Sequence, residues 1–230
     1  MAMMEISLVK KIALTKDVFE LHYKLPEVTT MLPGQFFTFI LPWIWGRSYS
    51  ALELREDIAV LIIKRWWESD WGRWGSILLC DAEVWDTFKA VWPAGHFLLQ
   101  DTTSNKLFLG TGTWLVPLYN QILEWLKRWS SEKYQLVFGV RHMSDMFYLD
   151  HFANLKQEYP DNFYYHLVVS RDEWEGMIKK WYVTDFLSEK VASEYKEFYI
   201  CWAPAMIEWC QEKLASLWVD ENNIYFEKYA

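Results

Sequence analysis

The chain has few cysteines, few glycines, few prolines and no excess of positive charge. Its three cysteines, Cys80, Cys201 and Cys210, are odd in number and far apart among 230 residues. That spacing excludes a disulfide framework and any cysteine-built metal or iron–sulfur centre inside the chain. A formal net charge of -8 argues against nucleic acid as a partner, because phosphate binding calls for clustered Lys and Arg. The most apolar run, residues 36–45, is broken by Pro42 and too short to span a bilayer, so no membrane span is expected. The opening Met-Ala-Met-Met-Glu-Ile-Ser does not read as a secretion signal, and a reducing cytoplasm is the expected location. Against nine glycines stand 16 tryptophans, an inversion of ordinary usage.

What is present divides into two rhythms. Up to about residue 100, short β-type runs follow one another: 5–13, 18–24, 35–41, 47–53, 58–64 and 84–91. In the second run Phe19, Leu21 and Tyr23 alternate with Glu20, His22 and Lys24, which predicts one buried and one solvated face. Such spacing predicts a small antiparallel barrel, with a short helix from Gly75-Ser76 toward Cys80. The polar cluster Asp101-Thr102-Thr103-Ser104-Asn105 reads as a linker, placing one domain over 1–101 and a second over 102–230. Beyond it, strands at 107–109, 134–140, 163–169 and 197–201 alternate with helical patterns near 115–128, 144–158, 184–192 and 204–217, followed by a last strand at 222–228. Alternation of that kind predicts a doubly wound parallel sheet covered on both faces.

The most informative stretch is Lys106–Leu118. Leu107, Phe108 and Leu109 read as a buried strand and Gly110-Thr111-Gly112-Thr113 as a tight turn, and from Leu115 the apolar residues Leu118, Tyr119, Ile122 and Leu126 share a helical face. A strand, a glycine turn and a helix bring free backbone N–H groups and a helix N-terminus to one point, where a pyrophosphate fits. The spacing is G-x-G-x-x-L, and the following strand leads to Arg141 without an acidic residue, so the plain dinucleotide fingerprint is incomplete.

Further motifs fall in order along the chain. Gly-Thr-Gly-Thr-x-x-x-Pro-Leu at 110–118, Arg47-Ser48-Tyr49-Ser50, Pro93-Ala94-Gly95-His96-Phe97, and Tyr199-Ile200-Cys201-Trp202-Ala203-Pro204-Ala205-Met206 together resemble the ferredoxin–NADP reductase family of flavoproteins. The resemblance implies a Greek-key β-barrel for FAD followed by the parallel α/β domain for NAD(P)H. A strand sets Arg47 and Tyr49 on one side and Ser50 on the other. By resemblance, Arg47 pairs with the flavin pyrophosphate, Tyr49 stacks on the isoalloxazine and Ser50 hydrogen-bonds near its reactive nitrogen. Gly72-Arg73-Trp74-Gly75-Ser76 is similar to the family's second flavin element, with Ser76 also suited to cap a helix. Gly110, Thr111 and Gly112 would hold the nicotinamide dinucleotide's pyrophosphate, and Arg141 would reach its adenosine. A Ser-Arg pair, Ser170-Arg171, implies NADPH, while Asp172 and Glu173 directly after it weaken that preference. Cys201 and Met206 fall at the nicotinamide end, and Glu227 and Tyr229 resemble the family's C-terminal acidic and aromatic residues. Ser50, Cys201 and Glu227 are the candidate catalytic residues. The five histidines show no ligand pairing in the sequence and read as non-catalytic, and no metal site is expected.

The implied activity is hydride exchange between NAD(P)H and FAD, with electrons passing on to a ferredoxin, a flavodoxin or a partner subunit. Two alternatives stand beside it: a flavin protein that only relays electrons within a complex, and a non-enzymatic binding module whose tryptophans cluster on one surface. Many tryptophans fall where turn chemistry asks for glycine: Trp45, Trp66, Trp67, Trp71, Trp74, Trp85, Trp92, Trp114, Trp125, Trp129, Trp181, Trp202 and Trp218. Glycine at Trp92, Trp114 and Trp202 would improve the match, and bulk there is expected to press on the cofactor sites. Some lineages read UGA as glycine, which would account for such a pattern.

Overall fold

The computed structural model describes residues 2–66, 74–128, 131–172 and 179–228. It divides into two units, residues 1–99 and 100–230. The 101–105 cluster therefore belongs to the second unit and is bound into it: Asn105 Nδ2 donates to the Glu194 carbonyl at 3.2 Å and its Oδ1 accepts from the Lys133 amide at 3.0 Å.

The first unit is a closed antiparallel barrel. Its strands are β1 (Ala2–Ala13), β2 (Val18–Lys24), β3 (Phe36–Leu41), β4 (Ile44–Arg55), β5 (Ile58–Lys64) and β6 (Thr87–Ala94), in spatial order β1-β2-β5-β4-β3-β6. Three hairpin-linked strands, β3, β4 and β5, with β6 returning beside β3, make a Greek key. Leu21, Tyr23, Phe37, Phe39, Leu61 and Ile63 fill the interior. One helix, α1 (Trp74–Asp81), adds Leu79 and Cys80 to that core. The outer side of β2 departs from expectation. Glu20 and His22 are buried there rather than solvated, and a 2.6 Å contact between Glu20 Oε1 and His22 Nε2 offsets the burial of both polar groups. β6 begins three residues later than its apolar pattern suggests, because Glu83–Asp86 forms a turn closed by the Asp86 amide on the Glu83 carbonyl at 3.0 Å.

The second unit is a six-stranded sheet in the order β10-β9-β8-β7-β11-β12. Its strands are β7 (Lys106–Thr111), β8 (Tyr134–Val140), β9 (Phe163–Val169), β10 (Lys179–Lys180), β11 (Glu197–Trp202) and β12 (Ile224–Lys228), all parallel. Side chains alternate along each strand. Leu107, Leu109, Val137, Phe198 and Ile200 share one core with Ile207, Cys210 and Leu214 of α5 (Pro204–Ser216). On Phe108 and Phe138 the pattern turns to aromatics: Phe138 meets Phe152 of α3 (Leu149–Glu158) at 5.8 Å, and Phe152 meets Tyr119 of α2 (Leu115–Leu126) at 5.3 Å. The helix expected over 144–158 starts later, after a 3-10 turn at Met143–Asp145, because Tyr148 sits at φ 64. The helix expected over 184–192 is likewise a 3-10 turn, Val183–Phe186, followed by α4 (Glu189–Glu194), whose cap is the Ser188 hydroxyl accepting from the Val191 amide.

Candidate functional site

In the first unit the flavin-motif residues converge on a glycine. Arg47 and Tyr49 point to one side of β4, and Gly75 in the first turn of α1 lies against both. A Cβ on Gly75 would fall 2.7 Å from Arg47 Cγ and 3.2 Å from the Tyr49 hydroxyl. Only glycine permits that approach, which explains glycine at this position in a helix otherwise poor in it. Burial raises the Tyr49 phenol well above its ordinary pKa, a nearby Cys80 adds to the rise, and Arg47 only partly counters them, so the ring is neutral. Arg47 Nη1 donates to the Gly46 carbonyl at 3.1 Å. Ser50, on the opposite side of β4, is buried. Ser76 is not a cap: α1 begins at Trp74, and the Ser76 hydroxyl accepts from the Trp66 amide at 3.4 Å. Gly72 and Arg73 lie outside the described residues, as do Glu173, Tyr229, Trp67, Trp71 and Trp129.

In the second unit the chain order of the strands reverses between β7 and β11, since β8 and β9 follow on one side of β7 and β11 and β12 on the other. In open parallel sheets the crevice outside such a reversal receives ligands. Across it the register sets Gly110 beside Cys201 and Cys201 beside Glu227. Three of the candidate residues thus form one row at the carboxyl ends of β7, β11 and β12. Cys201 is fully buried; burial first, and the Glu227 carboxylate second, push its thiol far above the usual range. Both effects favour the neutral S–H over the thiolate, which suits a small apolar wall.

The turn after β7 is equally specific. A Cβ on Gly110 would meet Leu118 Cδ1 at 2.8 Å and the Leu115 Cα at 3.4 Å, so the strand end touches the first turn of α2 directly. Gly112 sits at φ 50 with nothing within 4 Å of its missing side chain, an open, left-handed position. The 3-10 turn Gly112–Trp114 leads into α2 with the Leu115 amide donating back to the Gly112 carbonyl, and neither Thr111 nor Trp114 provides a side-chain cap, so no side chain occupies the place where an anion would meet this helix start. Thr111 pairs in register with Gly139 of β8, and a Cβ on Gly139 would come within 3.0 Å of Thr111 Cγ2. The same Cβ would come closer still to Val183 Cγ1, at 2.8 Å, so Gly139 is required by the packing of Thr111, Val168 and Val183 around it. A short-side-chain requirement leaves no local mark in Phe138-Gly139-Val140, so the sequence alone did not single it out.

At the outer end of this edge, the β8–β9 ladder continues past both strands: the Ser170 amide donates to the Val140 carbonyl and the Arg171 amide to the Arg141 carbonyl, each at 3.0 Å. This brings Arg141, Ser170 and Arg171 together, the two arginines exposed. Asp172 then reaches back. Its carboxylate lies 2.6 Å from His142 Nδ1 and accepts from the Met143 amide at 2.7 Å. That amide first, and His142 second, hold the carboxyl below the usual range. The His142–Asp172 pair is a partnership that sequence spacing of 30 residues did not disclose. Met206 packs against the α5 core. Among the described residues no group of His, Cys, Asp and Glu could hold a metal, and no helix is long and apolar enough to cross a membrane.

The described tryptophans fall in unlike settings. Trp92, expected to press on a cofactor site, is a core residue stacked on Phe37 at 4.1 Å inside the barrel. Trp114 has ordinary helical geometry at φ -70, Trp125 is buried in α2, and Trp202 ends β11. Trp43, Trp85 and Trp218, by contrast, have left-handed backbones at φ 65, 83 and 62.

Residues 108–212 match the family of oxidoreductase NAD-binding domains. A component of the Na(+)-translocating NADH-quinone reductase of Marinomonas sp. (strain MWYL1) is 31% identical over 152 residues, which are 63% of this chain and 37% of that protein. The component of the same name from Neisseria meningitidis serogroup B (strain ATCC BAA-335 / MC58) is 32% identical over 145 residues, 60% of this chain and 36% of its own. The chain thus spans little more than a third of these curated relatives. Among solved structures, the Amycolatopsis cytochrome P450 reductase GcoB superposes with a TM-score of 0.88 at 22% identity, over 99% of this chain and 69% of the other. A ferredoxin NADP+ reductase from Neisseria gonorrhoeae with bound FAD and NADP superposes with a TM-score of 0.82 at 18% identity, over 98% of both chains. The barrel and the parallel sheet thus have the folds found in these FAD- and NAD(P)-binding reductase structures, and the second unit carries a match to oxidoreductase NAD-binding domains.

Proposed function

We propose that this chain is the flavin- and nicotinamide-binding module of an NADH-dependent electron-transfer enzyme. The observation that carries the reading is the row Gly110, Cys201, Glu227 at the sheet's reversal point, beside an uncapped helix start reached through a left-handed glycine. FAD and NADH, when bound, supply the hydride chemistry and the change from a two-electron donor to one-electron steps. The chain's own groups do the rest. Gly110-Thr111-Gly112 presents N–H groups to the dinucleotide pyrophosphate, and Cys201 walls the nicotinamide. Arg47 offers charge to the flavin diphosphate, Tyr49 a neutral ring to its isoalloxazine, and Ser50 a hydrogen bond. The tightness of Gly75 against Arg47 and Tyr49 supports that use of the first unit.

The choice between NADH and NADPH rests on Asp172. An ionised carboxylate held by His142 and the Met143 amide, one residue beyond Ser170-Arg171, can accept from a ribose hydroxyl and repels an extra phosphate. Ser170-Arg171 alone would favour NADPH; the held carboxylate tips the site to NADH. We expect steady-state reduction of a one-electron dye to proceed with NADH at a kcat/KM well above that with NADPH. Asp172→Ser is expected to tighten binding of 2′,5′-ADP on the order of tenfold while leaving ADP-ribose little changed. Calorimetry with the two fragments measures it, and equal affinity of wild type and variant for 2′,5′-ADP would remove Asp172 from the account.

For the acceptor, another protein of the same complex suits the chain better than a free carrier does. The cysteines of this chain are single and buried, so an iron–sulfur centre would lie elsewhere. A net charge of -8 would slow encounter with an acidic ferredoxin or flavodoxin. The relatives, too, are named as components of an NADH-quinone reductase made of several subunits.

A further inference from the structure

We infer that Trp43, Trp85 and Trp218 stand at codons read as glycine in the cell that owns this gene, so that the working protein carries glycine at all three. Among the described residues, five that are not glycine have φ above zero: Trp43, Glu56, Trp85, Tyr148 and Trp218. Three of the five are tryptophan, a bulky residue for which the left-handed region is an outlier. Turn-forming polar residues would be the ordinary exceptions there.

Each of the three occupies the glycine position of a recognisable motif. Pro42-Trp43 joins the paired residues Leu41 and Ile44 at the β3–β4 hairpin. Proline followed by a residue at φ 65 is the type II arrangement, in which the second central residue is normally glycine. Trp85 holds the same place in the turn Glu83–Asp86, whose closing bond runs from the Asp86 amide to the Glu83 carbonyl at 3.0 Å, with φ 83 at Trp85. Trp218 follows the last turn of α5. Its amide donates to the Ala215 carbonyl at 3.0 Å and the Val219 amide to the Leu214 carbonyl at 3.1 Å. Those two bonds, with Val219 packed on the core that holds Leu214, are a Schellman motif, and Trp218 is its left-handed C′ residue.

Nothing in the surroundings repays the strain. The three side chains are 101%, 73% and 95% exposed, so the indoles neither pack nor cover the core. They sit on three separate turns, two in the first unit and one in the second. Three different motifs, each asking for glycine and each carrying the same improbable residue, have one economical cause. A UGA codon at each position, read as tryptophan under one code and as glycine in a cell that assigns UGA to glycine, meets all three demands together. The other tryptophans fall outside this inference. Trp92 is packed in the barrel and Trp114 has φ -70, so their backbones do not ask for glycine.

Two measurements test it. Tandem mass spectrometry of the protein recovered from the organism that carries the gene is expected to find glycine at 43, 85 and 218; tryptophan at any of these positions overturns the inference. In recombinant protein made with tryptophan throughout, Trp43→Gly, Trp85→Gly and Trp218→Gly are each expected to raise Tm by about 2–4 °C. Trp209→Gly, in the interior of α5, is expected to lower it. A triple variant that melts at or below its parent would show that these backbones do not call for glycine, and would also overturn the inference.

Discussion

Replacing Lys106 by methionine is expected to destabilise the second unit by about 3–5 kcal/mol, the cost of leaving a buried carboxylate without its partner. Lys106 opens β7 and is completely buried, and Glu197 opens β11 in register with it at 4% exposure. Lys106 Nζ lies 3.7 Å from Glu197 Oε2 and donates to the Thr102 and Ser104 carbonyls at 3.1 and 2.9 Å. Glu197 in turn accepts from the Tyr199 hydroxyl at 2.7 Å and from the Thr102 hydroxyl. Desolvation pulls the Lys106 ammonium below the ordinary lysine range, and Glu197 pulls it partly back, so each charge needs the other. One network therefore fastens the start of the second unit to its two central strands. Thermal unfolding of Lys106→Met, Glu197→Gln and the double variant measures it. The double variant should recover a large part of the loss; strictly additive losses would mean that the pair is not coupled.

Gly110→Val is the second large effect, and it falls on function. The strand end and the start of α2 are in contact through the missing side chain, with Leu118 Cδ1 only 2.8 Å from where a Cβ would sit. A valine must push the first turn of α2 away and displace the N–H groups to which the proposed function assigns the pyrophosphate. A misplacement of about 1 Å at such a site costs on the order of 10²-fold, and the expected loss of NADH affinity is of that size. Gly112→Asn is the contrasting variant. Its position is open and left-handed, which asparagine tolerates, so its stability should be little changed. Calorimetric titration of NADH into both variants reads the effect, and unchanged affinity in Gly110→Val would contradict this placement of the dinucleotide.

The strands were legible wherever apolar side chains alternated or ran unbroken. Residues 18–24, 58–64, 134–140 and 163–169 are strands with the boundaries their patterns suggest, because burial of one or both faces fixes the period. Illegible features depend on partners far along the chain. β10 is only Lys179-Lys180, two charged residues that pair with β9 through their backbones and carry no periodic signal. Glu20 and His22 looked solvated because alternation is silent on what covers a face. Lys106 looked like a polar strand start, and its network of Thr102, Ser104 and Glu197 exists only once β7 and β11 are neighbours. The two glycines of the β7 turn could be read as a phosphate cradle, since glycine is rare here. Gly139 could not, as its reason is the methyl groups of Val183, Thr111 and Val168, all distant in sequence. Tyr148 and Trp85 moved element boundaries through left-handed backbones that neither residue type signals.

The central claim is that this chain holds a flavin that NADH can reduce. Protein reconstituted with FAD, freed of excess by gel filtration and titrated anaerobically with NADH should show the flavin absorption band bleach in proportion to the NADH added, with NADPH far less effective. A protein that retains no added FAD, or whose bound flavin keeps its colour in excess NADH, would contradict the account.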